Sequence, residues 1–260
     1  MDEKERLHQE DLQRIRGFRL FDDDFMNACF SDNIEGTELM LRIILNKPDL
    51  SVKRVTTQDL MKNLQGRDIW LDIDATDTEG KEYDIEIQRS DQGAGRKRAR
   101  YHSSILDAHL LRPNEDFNKL PETYVIFITE HDVIGGNKPI YTIERMITNL
   151  DEPFDDGEHI IYVNGADRNS ETELGRLMHD FSCMSADEMH YSILAEKVRY
   201  FKETAKGVAT MCKAMEDMRD AVRIENAKKM LADGVSVEKT AEYSGLPLEK
   251  VREIAGQKTA

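Results

Sequence analysis

The amino-acid sequence predicts a mixed α/β fold whose elements run helix, three strands, helix, strand, followed by a C-terminal helical extension. Three observations carry this. Residues 69–76 and 82–89 alternate apolar and polar side chains almost strictly on either side of Asp77-Thr78-Glu79-Gly80-Lys81, as a β-hairpin with a longer loop does. Thr123–Thr129 (TYVIFIT) is apolar on both faces, as a central strand is. From Ser185 onward the apolar residues recur at helical spacing.

Each element has its own signal. After a polar lead, Phe18–Phe30 mixes aromatics with Asp22, Asp23 and Asp24. Gly36-Thr37-Glu38 then opens an apolar run over Leu39, Leu41, Ile43, Ile44 and Leu45 that Asn46-Lys47-Pro48 closes, which predicts a helix. Val52–Gln58 has the β-branched content of a short strand. A second helix is expected from Gly95 to Leu111, with Tyr101, Ile105, Ala108 and Leu111 at helical spacing. Ile140–Ile147 and His159–Asn164 read as further strands.

Leu194, Val198, Phe201, Ala205, Val208, Cys212 and Met215 alternate steps of four and three. This heptad seam suits either an amphipathic helix covering the sheet or a coiled coil that forms a homodimer. Ala227–Ala255 has a helix-turn-helix outline, with turns at Gly234 and Ser244-Gly245. Its last helix mixes charges over Leu248–Glu253, which favours packing or a partner over groove reading. The expected division is a sheet domain over 1–184, a helical segment over 185–226 and a small helical tail over 227–260.

No stretch of the 260 residues approaches the roughly 18 consecutive apolar side chains of a membrane span, and the charged start MDEKERLHQED is unlike a signal peptide. A cytoplasmic protein is expected. Cys29, Cys183 and Cys212 form an odd set without ligand-like spacing, which argues for buried fillers rather than disulfides or a zinc knuckle. His102 and His109 have no partner at triad or metal spacing, so a nucleophilic hydrolase is not indicated. The net charge of −15 opposes phosphate binding by the whole surface, yet Arg89, Arg96, Lys97, Arg98 and Arg100 form a local basic ridge interrupted by one acid, Asp91.

The hairpin carries the chemistry. A register centred on Glu79 sets Asp72 opposite Glu86, Asp74 opposite Asp84 and Thr76 opposite Glu82, so Trp70, Asp72, Asp74, Asp84, Glu86 and Gln88 share one face. Opposed residues lie about 5 Å apart, and like charges there need neutralising. Either a divalent cation does this, or the face is an outer one bathed in water.

Arg67-Asp68-Ile69-Trp70-Leu71-Asp72-Ile73 followed by Tyr83-Asp84-Ile85-Glu86-Ile87-Gln88 resembles the D…E-x-Q core of the PD-(D/E)XK nuclease family transposases, which include the recombination-promoting nucleases. The likeness spans roughly residues 20 to 165 and takes in Asp24-Phe25-Met26, Cys29-Phe30, Arg98, Tyr101, Ser104 and Tyr124–Ile128. It implies a restriction-endonuclease-like αβββαβ core and metal-dependent DNA cleavage, with Asp72, Glu86 and Gln88 catalytic and Mg²⁺ or Mn²⁺ held by Asp72, Glu86 and the Ile87 carbonyl. Arg96, Lys97, Arg98, Arg100 and Tyr101 would face DNA. Glu38 is offered as an additional acid, beside its plainer reading as a favourable charge in a helix's first turn. Glutamine at 88, where the wider superfamily has lysine, removes a cation and moves the electrostatic work to the metal and to nearby Arg or Lys. A nuclease fold retained without activity, as a DNA-binding or protein-interaction module, is the alternative.

Overall fold

The computed structural model describes residues 3–63 and 66–256, which form two compact units, one of residues 16–202 and one of residues 1–15 with 203–260. The larger holds a six-stranded mixed sheet. Its elements are α2 (Asp23–Phe30), α3 (Ile34–Leu45), β1 (Val52–Met61), β2 (Ile69–Asp77), β3 (Glu82–Gln88), α4 (Arg96–Leu110), β4 (Thr123–Thr129), β5 (Ile140–Ile143), β6 (Met146–Ile147), β7 (Glu152–Pro153), β8 (Glu158–Asn164), α5 (Glu173–Ser182) and α6 (Ser192–Glu203). The expected αβββαβ core is therefore α3, β1, β2, β3, α4 and β4.

Strand order is β1-β2-β3-β4-β8-β5. β1, β2 and β3 pair antiparallel, β3, β4 and β8 pair parallel, and β5 runs antiparallel at the edge. All seven residues of β4 are buried, which explains why it is apolar on both faces. The expected strand over 140–147 breaks at Glu144-Arg145, and Met146–Ile147 pairs with Glu152–Pro153 in a separate ribbon.

Local chemistry sets the helix ends that frame the hairpin. The Asn33 side chain accepts the Gly36 N–H at the start of α3, and Asn46 closes the helix in the left-handed region at φ 51°. Ala99, Ile105 and Leu106 of α4 pack on Val125 and Phe127 of β4 and on Tyr162 of β8. Asp77 ties off the hairpin loop, its Oδ1 accepting the Glu79 and Lys81 N–H groups and its Oδ2 accepting the Tyr83 hydroxyl.

The smaller unit contains α1 (Glu3–Gly17) up to Ile15, then α7 (Ala205–Ala232), α8 (Val237–Ser244) and α9 (Leu248–Gly256). α1 occupies the polar lead of the sequence, where no helix is expected, because its buried stripe is completed by Asp11 rather than by an apolar residue. Asp11 is 4% exposed and receives a bidentate pair from Arg219 of α7, at 2.6 and 2.8 Å. Arg219, which interrupts the apolar stripe in sequence, is thus an inward-facing partner.

The heptad seam is not one helix. The Thr204 side chain caps α7 by accepting the Gly207 N–H, which ends α6 at Glu203. Leu194 and Val198 are then buried in the sheet unit, and Met211 and Met215 in the helical one. The tail has the expected outline, with Gly245 at φ 70° between α8 and α9 and a small core of Ala227, Leu246, Val251 and Ile254. Residues 1–2 and 257–260, included in the expected divisions, lie outside the described residues.

Replacing Asp77 with Ala leaves two loop N–H groups and a buried hydroxyl without acceptors. Urea unfolding of Asp77→Ala should show a loss of about 1–3 kcal/mol. An unchanged transition would mean the loop is held by other contacts.

Candidate active site

The hairpin register places Asp74 opposite Asp84 and Thr76 opposite Glu82, as the sequence predicts. The ladder between β2 and β3 stops at Ile73 and Ile85, one step before Asp72 would face Glu86. There the two strands exchange side chain for backbone. The Asp72 N–H donates to Glu86 Oε1 at 3.2 Å, and the Ile87 N–H donates to Asp72 Oδ2 at 2.9 Å. The two acids cross-link the parting strands.

Their face is not a solvated one. Asp74, Asp84 and Glu86 are 2%, 0% and 0% exposed, and burying carboxylates without partners is costly. Two groups of side chains answer this. Arg54 of β1 reaches Asp74 at 2.7 Å and Glu82 at 3.6 Å, neutralising the loop end of the face. At the other end α4 lowers Arg98 and His102 onto the acids. Arg98 Nη2 donates to Glu86 Oε2 at 2.7 Å, and its Nη1 donates to the Gly93 carbonyl at 3.1 Å.

His102, dismissed from sequence for want of a partner, has one. Its Nδ1 lies 2.8 Å from Asp84 Oδ2, and its Nε2 accepts from Arg98 Nε at 3.2 Å. With Nε2 occupied as an acceptor, the proton sits on Nδ1 and points at Asp84, so the ring is neutral. Burial lowers its pKa accordingly. His102 and Asp84 could be found from sequence only by placing α4 across the hairpin, which spacing along the chain does not reveal.

Electrostatics mark this end of the hairpin as unusual. Burial, reinforced by the charge of Asp23 at the head of α2, raises the Asp72 carboxyl to about 6, although the Ile87 N–H works in the other direction. Burial and then the charges of Asp84 and Asp72 push Glu86 well above the ordinary range. Asp84 is raised well above it as well, by burial first and the Asp72 charge second. Its Oδ1 has no hydrogen-bond partner. An orphaned buried carboxylate oxygen among crowded acids suits a hard divalent cation, and Asp84 and Glu86 offer carboxylate oxygens within 4.8 Å of each other.

Gln88 sits at the mouth of the site, with Nε2 3.5 Å from Glu86 Oε2. A Cβ on Gly93 would fall onto Gln88 Oε1, so glycine at 93 is what lets the amide lie there.

The profile of the PD-(D/E)XK nuclease family transposases matches residues 37–241. The chain belongs to that family. Membership gives it a nuclease- or transposase-like role, and PD-(D/E)XK nucleases generally use divalent metals. No curated protein and no solved structure gives a match.

The other expected site residues of this PD-(D/E)XK chain fall in different places. Arg96, Lys97 and Arg100 are exposed on α4. Arg98 turns inward, and the Tyr101 hydroxyl donates to the Arg67 carbonyl at 2.6 Å while accepting from Asn63, which engages both within the fold. Glu38 is not brought to the hairpin. It lies in the second turn of α3, accepts the Val52 N–H at 2.9 Å and pairs with Arg42 at 2.7 Å, holding α3 to the start of β1. The acid that does act on Asp72 from outside the hairpin is Asp23, whose signal in the sequence is the Asp22–Asp24 run. No described helix is long and apolar enough to cross a membrane.

The raised Asp72 carboxyl has a consequence for stability. Its ordinary value in an unfolded chain is about 3.9, so the folded state holds the proton more tightly. The carboxyl costs nothing below that value and destabilises increasingly as pH rises toward 6. Asp72→Asn keeps an acceptor for the Ile87 N–H. It should stabilise the cation-free protein at pH 8 by roughly 1–3 kcal/mol, with the gain fading toward pH 4. Thermal unfolding of both proteins across that range checks this, and a variant less stable at pH 8 would refute it.

Proposed function

We propose that this chain is a metal-dependent DNA endonuclease of the transposase and recombination-promoting type, with its active site at the hairpin end under α4. The observation that carries the reading is the convergence of Asp72, Glu86 and Gln88 where β2 and β3 part, with an orphaned acid oxygen beside them. Asp72, Glu86 and the Ile87 carbonyl would hold Mg²⁺ or Mn²⁺. When bound, the cation supplies acidity to a water and positive charge opposite the phosphate.

The chain's own residues do the rest. Gln88 orients the water or a phosphate oxygen through an amide that can both donate and accept. Arg98, 2.7 Å from Glu86 and 40% exposed, provides the positive charge that glutamine at 88 does not, and takes the place of a lysine on the strand. His102 and Asp84 hold Arg98 and Glu86 from behind. The exposed Arg96, Lys97 and Arg100 flank it on the same helix and contact the phosphate backbone. A local cationic strip of this kind fits an acidic protein that engages DNA at one place rather than over its whole surface.

Plasmid nicking tests the reading directly. Wild type should cleave with Mg²⁺ or Mn²⁺, stop with EDTA, and fall to background in Asp72→Ala purified identically. Folded wild type that cleaves neither supercoiled, linear nor single-stranded DNA would overturn it and leave the binding-module alternative. The chain's one tryptophan, Trp70, is 54% exposed two residues before Asp72, so its fluorescence reports DNA binding separately from cleavage.

A second variant isolates the role of Gln88. Gly93→Ala displaces the amide without touching a carboxylate, and should lower the cleavage rate on the order of 10–100-fold while DNA binding followed at Trp70 stays unchanged. An unaltered rate would show that the amide's position is immaterial.

A further inference from the structure

A second group of donor side chains lies away from the hairpin, around the C-terminus of α5. His179 and Cys183 are four residues apart, which sets them on one face of the helix and its cap. Cys183 Sγ lies 3.4 Å from His179 Nδ1. Zinc binds sulfur at about 2.3 Å and imidazole nitrogen at about 2.1 Å in tetrahedral array, which separates two such donors by about 3.6 Å. The observed pair is within a few tenths of an ångström of that spacing.

The next segment is folded back onto this pair by Asp180. That residue is fully buried, and its two oxygens accept the His190 and Tyr191 N–H groups at 2.8 Å each. The His190 ring is thereby held with its centroid 4.8 Å from that of His179. Asp180, whose Oδ1 also lies 3.5 Å from His179 Nδ1, thus serves as the strut of this corner. A cavity of about 380 Å³ opens at the same place, lined by His179, Cys183 and Glu188 among others. His190 and Glu188 are exposed, the first beside the His179 ring and the second on the cavity wall.

We propose that His179, Cys183 and His190, with Glu188 as the fourth donor, form a structural zinc site that staples the segment before α6 to the end of α5. One sulfur, two imidazoles and one carboxylate make a mixed set that selects zinc over the hard cations suited to the hairpin. Arg168 also lines the cavity, with its Nε directed to the Gly165 carbonyl at 3.3 Å. The thiol is no resting nucleophile, because burial and then the charges of Asp180 and Glu188 raise it to about 11. A bound cation would ionise it. The closed donor set leaves no position for substrate, which makes the site structural rather than catalytic.

Cobalt and zinc titrations of the full chain, stripped of metal beforehand, test this. Wild type should bind one equivalent of Co²⁺ with a thiolate-to-metal charge-transfer band in the near ultraviolet, and Zn²⁺ should abolish the band. Cys183→Ser should lose the band, and Cys183→Ser and His179→Gln should each weaken Zn²⁺ at least tenfold in competition with a chromophoric chelator. Cys29→Ser, Cys212→Ser and Asp72→Ala should retain the band, which separates this site from the other thiols and from the hairpin. Wild type showing no such band at one equivalent would overturn the proposal whatever the variants' folding. Full retention of the band in Cys183→Ser would overturn it as well.

Discussion

Three carboxylates, Asp72, Asp84 and Glu86, are buried or nearly so on one face of a two-stranded hairpin, and the surrounding structure is organised by the need to accommodate them. Carboxylates out of water demand hydrogen bonds or opposite charge. The backbone provides the first, through the exchange of Asp72 and Ile87 N–H groups across the parting strands. Helix α4 provides the second through Arg98 on Glu86, and adds a hydrogen bond from a neutral His102 to Asp84. The apolar contacts of α4 with β4 and β8 hold these groups in place, so packing and electrostatics fix the same helix position.

The compensation is incomplete at this end, which distinguishes it from the rest of the acidic face. Toward the loop, Arg54 neutralises Asp74 and Glu82, and Asp77 is fully used by the turn. Toward the open end, Asp84 keeps an oxygen without a partner, and Asp72 and Glu86 are held above the usual carboxylate range. Where the strands part, the Gln88 amide is admitted by the absent side chain of Gly93.

Arg98 brings positive charge from the following helix to the end of β3, where position 88 is glutamine. Its guanidinium reaches Glu86 and is steadied by the His102 ring and the Gly93 carbonyl. Arg98 therefore differs from its neighbours Arg96, Lys97 and Arg100 in reaching a buried carboxylate, although all four are exposed and look alike in a basic run.

The sequence by itself determined the αβββαβ order, the hairpin register at Asp74 and Thr76, and the shared face of Asp72, Glu86 and Gln88, because strand alternation and turn chemistry are local and repeat every two residues. It also carried the family, through motifs in order along the chain. The burial of the acidic face, the inward turn of Arg98, the pairing of His102 with Asp84 and the diversion of Glu38 to Val52 were decided only by tertiary structure. So were the break of the heptad seam at Thr204 and the helix built around Asp11 and Arg219, where polar groups occupy positions that periodicity assigns to apolar ones. In each case the deciding partner is remote in the chain or breaks the repeat, and a buried charge reads from sequence as a surface one until its partner is in place.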